Sequence, residues 1–147
     1  WQEKWIERER ISSIVCDGDL KIDGDIINRT LEGGVMLFVA GDLEAENIFK
    51  SGATVMILGN LKSGGIVIGE YNDGVTRIGG DLEAEAFLLF DHDGFVRGEI
   101  RALHQNDHED GDWRSILVSE LFENEVEDYP DVAKLIACKK LNRKIFL

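Results

Sequence analysis

Long apolar runs are missing from this chain of 147 residues. The longest, such as VMLFVA at 35–40, fall far short of the roughly 20 residues that cross a bilayer, so no membrane span is expected. Cysteine is scarce. Cys16 and Cys138 form no CxxC pair and sit among apolar neighbours, the setting of buried free thiols in a reducing, cytoplasmic protein. No secretory leader is recognisable, and the first residue is Trp1 rather than Met. Bases are outnumbered, 16 Lys and Arg against 29 Asp and Glu, for a net charge of −13. That excess repels phosphate, which argues against nucleic acid or an anionic membrane as a partner and for a basic protein instead. Catalytic motifs are missing as well: there is no GxSxG, no glycine-rich phosphate loop and no cysteine–histidine pairing in the sequence. The expectation is a protein with neither enzymatic activity nor a cofactor.

What the chain does have is a core and a repeat. Hydrophobic residues make up 44%, with three Trp and seven Phe, enough for one folded domain. The hexapeptide GDLEAE occurs at 41–46 and again at 80–85. Aligned on its glycine, it belongs to five related units: GDLKI at Gly18, GDLEA at Gly41, GNLKS at Gly59, GDLEA at Gly80 and GEIRA at Gly98. Read with a period of two, these units place Leu20, Leu43, Leu61, Leu82 and Ile100 inward, with Ile22, Ala45, Ser63, Ala84 and Ala102 on the same side. Lys21, Glu44, Lys62, Glu83 and Arg101 then point out, and their signs alternate from unit to unit. Stacked as parallel rungs, opposite charges become neighbours, each pair worth roughly 0.2–1 kcal/mol.

A β-rich run precedes each glycine (SSIVC, VMLFV, TVMI, VTRI, GFV), and another follows in NIFK, GIVIG and AFLLF. Three short strands per unit predict a mainly β fold, a parallel β-helix or solenoid in which each rung covers the next. The glycine steps of 23, 18, 21 and 18 break the six-residue period of left-handed hexapeptide solenoids and favour the right-handed type. The glycines are expected at tight corners that need positive φ or close backbone approach. The organisation that follows is an N-terminal helical cap at 1–12 with Trp1, Trp5 and Ile6 on one side, and a β-helix at 13–103. An acidic connector spans 104–112, and a C-terminal helical tail at 113–147 packs on the β-helix. In the tail, WRSILVSELFENEVE and PDVAKLIACKKL read as two helices, the second started by Pro130 and Asp131. The basic end KKLNRKIFL reads as a continuation of that helix or a neighbour of the acidic segment.

The units GDLEA and GEIRA resemble the rungs of bactofilins, polymer-forming bacterial cytoskeletal β-helices. The stretches VCDGDLKIDGDIIN, LFVAGDLEAENI and GEYNDGVTRIGGDLEAE resemble a family of bacterial β-helical proteins, some of them found beside toxin genes. The resemblance covers 14–102. It implies a self-assembling scaffold through the β-helix ends in the first case and a toxin-neutralising immunity protein in the second. Uneven steps, the tail and a dense acidic segment depart from the bactofilin pattern.

Site candidates are few. The loop HQNDHEDGDW offers His104, Asp107, His108, Glu109, Asp110 and Asp112, in an order that fits no cation motif. It reads as a solvated connector, with docking of a basic partner (through Asp107, Glu109, Asp110 and Asp112) or a metal site as alternatives. FDHDG groups Asp91, His92 and Asp93, the materials of acid–base chemistry, but its Asp-Gly ending reads as a turn. GEYNDG likewise reads as a turn, with Tyr71 as an exposed aromatic that anchors a partner as the alternative. One further line stands out. If Cys16, Val39, Ile57, Ile78 and Val96 face in, then Val15, Phe38, Met56, Arg77 and Phe95 face out, a mostly apolar stripe that the chain's own tail or a partner covers.

Overall fold

The computed structural model describes residues 9–106, 113–123 and 130–147. Residues 1–8 of the N-terminal cap, with Trp1, Trp5 and Ile6, and the acidic residues Asp107, Glu109, Asp110 and Asp112 lie outside these. The chain divides into two compact units, one ending at His108 and the other starting at Glu109.

The first unit is a parallel β-solenoid of about five turns. Every strand pairing within it is parallel, and the strands stack into three faces. The first face is a five-stranded sheet of β1 (Ser13–Cys16), β4 (Met36–Val39), β7 (Thr54–Ile57), β10 (Val75–Ile78) and β12 (Asp93–Val96). The second stacks β2 (Leu20–Lys21), β5 (Leu43–Ala45), β8 (Leu61–Ser63) and the starts of β11 (Leu82–Phe90) and β13 (Ile100–Gln105). The third stacks β3 (Ile26–Asn28), β6 (Ile48–Lys50), β9 (Ile66–Glu70) and the ends of β11 and β13.

Alternation drives this fold. On the first face Leu37, Val39, Val55, Ile57 and Ile78 are buried while Phe38, Met56 and Arg77 between them are half-buried. On the second, Leu20, Leu43, Leu61, Leu82 and Ile100 form one column in register, and the three middle leucines are all but inaccessible. Burying each leucine contributes about 1.5–3 kcal/mol. The end members are half-buried because they have a neighbour on one side only. The outward column pairs Lys21 with Glu44 at 2.8 Å and Lys62 with Glu83 at 3.3 Å. Arg101 instead turns to Asp81 and Glu99, both at 2.8 Å. All are solvent-exposed pairs of modest worth.

The repeat glycines turn the corner between the first and second faces. Gly18 has φ +132°, whereas Gly41, Gly59, Gly80 and Gly98 are there because the previous coil comes too close for a Cβ. What approaches is the acid or amide that follows the previous glycine. Asp19 accepts the backbone N–H of Asp42, Asp42 that of Asn60, Asn60 that of Asp81 and Asp81 that of Glu99, at 2.7–3.0 Å.

Among its described residues the second unit is less helical than its sequence suggests. The 113–123 segment holds two single 3₁₀ turns, Trp113–Ser115 and Ser119–Leu121, instead of a helix. Its β-branched middle pairs with the chain end: Leu117 bridges Phe146, and Val118 N–H donates to the Ile145 carbonyl at 3.1 Å. One α-helix follows, α1 (Val132–Lys140), whose first turn is capped by Asp131 Oδ1 accepting the Lys134 N–H at 3.0 Å. It ends at Lys140 and does not run on into the basic end, since Asn142 adopts φ +50°. Both cysteines are free and half-buried, short of the full burial expected. Among the described residues no helix is long and apolar enough to cross a membrane.

Candidate functional site

Two places in the solenoid concentrate chemistry, one inside and one out. The inner one lies at the corner between the third and first faces. The alternation of β6 buries Ile48 in the core and sends Lys50 to the same side, so that a lysine 3% exposed lies inside the solenoid. Its Nζ donates to the Val75 carbonyl at 3.0 Å and to His92 Nε2 at 3.2 Å. His92, 1% exposed, comes from the turn between β11 and β12. Its Nδ1 faces two carbonyls, Glu70 at 3.3 Å and Tyr71 at 3.2 Å. Carbonyls only accept, so the proton sits on Nδ1, and Nε2 receives both Lys50 and the Thr76 hydroxyl at 3.0 Å.

The ring fits because nothing stands opposite it. A Cβ on Gly69 would lie 2.4 Å from the imidazole and one on Gly74 2.3 Å. The flanking turns take left-handed φ at Tyr71 (+78°) and Asp91 (+47°). Burial lowers the His92 pKa to about 4, with the Lys50 charge adding to the effect, and burial lowers Lys50 to about 7. Hydrogen bonding here ties β6, β10 and two turns together. In the same column as Lys50, Asn28 Oδ1 is buried without a hydrogen-bond partner.

The outer place is the second face with its two bordering turns. Its strands present Glu44 and Glu83. The preceding turn adds Asp19, Asp42, Asp81 and Glu99, with Asp17 at the edge shared with the first face, and the stretch that follows adds Asp23, Asp25, Glu46 and Glu85, the last still within β11. Against these eleven acids stand Lys21, Lys62 and Arg101, with Arg97 at the edge shared with the first face. Lys21 holds the Glu44 carboxyl below its ordinary range, and the Glu99 N–H followed by Arg101 does the same for Asp81. A shallow groove of about 140 Å³ runs between Lys21, Glu44 and Lys62 on one side and Asp23 and Glu46 on the other, opening where Gly64 carries no side chain.

Among the described residues singled out in the sequence, only Tyr71 and His92 meet. Tyr71 is half-buried, not exposed, and contributes its carbonyl to His92. Asp91 is an exposed turn residue, and Asp93 pairs with Arg77 at 3.1 Å. His104 lies half-buried in the last strand beside Ala86. Among the described residues no three His, Cys, Asp or Glu side chains are grouped to hold a metal. Sequence reasoning missed Lys50 and Thr76. The available signal was parity: Lys50 is two residues beyond the core residue Ile48. No known protein family, curated protein or solved structure matches the chain.

Proposed function

We propose that this chain is a non-catalytic binding module that docks a basic protein on its acidic second face, as an immunity or inhibitor protein neutralising a toxin in the cytoplasm. The observation that carries the reading is the segregation of charge by face: eleven acids against four bases gather on and around the second face. A field concentrated on one side steers a basic partner into a single orientation and speeds capture. The groove beside Glu46 has room for a lysine or arginine side chain.

Crosslinking and mass spectrometry in the native host test this, comparing wild type with an Asp23→Lys/Glu46→Lys variant. Wild type recovers a basic protein whose toxicity it suppresses on co-expression, and the variant loses roughly nine-tenths of that recovery. Equal recovery by both sinks the reading.

A second reading, a bactofilin-like scaffold growing through its ends, is favoured by one observation. Ile14, Cys16, Leu20 and Ile22 of the first coil and Val96, Ile100 and Ala102 of the last are only half-buried, as expected of edge rungs able to accept another. Sedimentation velocity separates the two, because a scaffold grows without limit as concentration rises.

A further inference from the structure

The outward side of the first face differs from the acidic second face in both polarity and charge. One of its columns, in register, is Val15, Phe38, Met56, Arg77 and Phe95. The next runs from Asp17 through Leu58 to Arg97, aligned by backbone hydrogen bonds from coil to coil. Val15, Leu58 and Phe95 are 64%, 54% and 56% exposed, two large apolar side chains on the sheet and a third at the bend that follows β7. Charge on this face cancels, with Asp17 and Asp93 against Arg77 and Arg97. Two chains of net charge −13 repel through their acidic faces but not through this one.

We propose that the first face is a homodimer interface, two copies packed sheet to sheet about a two-fold axis that runs parallel to the strands over β7. This rotation reverses the order of the coils and keeps position along each strand. Asp17 of the first coil therefore meets Arg97 of the second copy's fifth coil, and the same pair forms again by symmetry. Phe38 meets Arg77 of the second copy, a cation over an aromatic ring. Val15 meets Phe95, and Leu58 packs on its own counterpart at the centre. Asp17 and Arg97 form no ion pair within the chain among the described residues, so both are available. A two-fold along the solenoid axis would instead set Arg77 against Arg77, which disfavours that arrangement. Because the proposal concerns a different surface, it stands or falls independently of the basic partner on the second face.

Size-exclusion chromatography with light scattering tests it on the full chain. Wild type runs as a dimer of twice the 16.5 kDa chain and grows no further. Leu58→Asp gives a monomer with an unchanged circular dichroism spectrum, since Leu58 points into solvent in the single chain. Asp17→Arg alone and Arg97→Asp alone each weaken dimerisation roughly tenfold, and the double swap restores it. A wild type that stays monomeric, as it would if another protein occupied this face, overturns the proposal. So does a double swap that fails to recover the dimer.

Discussion

Asp42 accepts the backbone N–H of Asn60, one coil further on, at 2.7 Å, and the Asn60 side-chain oxygen accepts the N–H of Asp81 at 2.8 Å. This relation explains the first two letters of the repeat. In the first four units the second letter is Asp or Asn because each of those coils must offer an acceptor to the next. The first is Gly because the incoming acceptor occupies the space of a Cβ. The hexapeptide GDLEAE is thus a device for stacking, and its third and fifth letters are the core that the stacking seals.

Gly59→Ala is expected to be among the most harmful small substitutions in the chain. Its Cβ would lie 2.2 Å from Asp42 Oδ1 and 2.7 Å from the Gly41 backbone, so coils must separate and the acceptor must leave. Overpacking of this kind costs about 1–3 kcal/mol, and the lost hydrogen bond adds about 1 kcal/mol. Urea denaturation measures the sum. A midpoint unchanged from wild type would show that the corner has slack that the geometry denies.

Asp42 itself separates charge from hydrogen bonding. Asn60 fills the equivalent position with an amide, so Asp42→Asn keeps the acceptor and should alter stability by less than about 0.5 kcal/mol. Asp42→Leu removes the acceptor and should cost about 1 kcal/mol. If both variants lose equally, the carboxylate's charge matters and the ladder does not.

The strand columns were legible because they obey one rule five times over. Leu43, Leu61 and Leu82 follow the same glycine at the same distance, so register and polarity can be read without knowing the corners. The third face broke that reading. Three residues separate Ile22 from Ile26 in the first coil and two separate Ala45 from Ile48 in the second, and each change in corner length resets which side chains face in. Lys50 was overlooked for that reason, since a charged strand residue reads as outward unless its parity is carried around the bend. His92 reads in the sequence as part of a turn; only the folded chain brings it to Lys50 and Thr76 from strands far apart in sequence. The segment at 113–121 carries helical spacing in its apolar residues, and its β-branched Ile116 and Val118 are captured by the chain end.

Lys50→Met tests the interior amine at high pH. Burial lowers the Lys50 pKa from 10.5 to about 7, so between pH 7 and 10.5 the unfolded chain holds a proton that the folded chain has released. Wild-type stability therefore rises with pH across that window, by on the order of 5 kcal/mol, and the deficit is fully present below pH 7. Methionine has a similar shape and no proton. The variant should show no such rise and should exceed wild type below pH 7, the gap closing toward pH 10.5. Parallel pH profiles for both proteins would contradict the burial of a titrating amine.

His92 governs the acid side. Its pKa is lowered from 6.5 to about 4, first by burial and then by the Lys50 charge, against the Glu70 and Tyr71 carbonyls and Asp93, which pull the other way. From pH 6.5 down to 4 the unfolded chain takes up a proton that the folded chain refuses. Stability contributed by the neutral ring is therefore complete above pH 6.5 and falls as the pH drops, by about 3 kcal/mol in all. Protonation would also place an imidazolium 3.2 Å from Lys50 Nζ in a space enclosed by β6, β10 and their turns, so the corner between the third and first faces should open first. Hydrogen exchange at pH 5 should show this as faster exchange at Thr76 and Val75 than at Leu43 and Leu61 on the second face. His92→Gln, which carries no charge in this range, should flatten the difference between the two regions. Carboxylates titrate in the same window in both proteins, so the wild-type slope minus the variant slope isolates the histidine; a difference of zero would mean that the ring is already solvated at neutral pH.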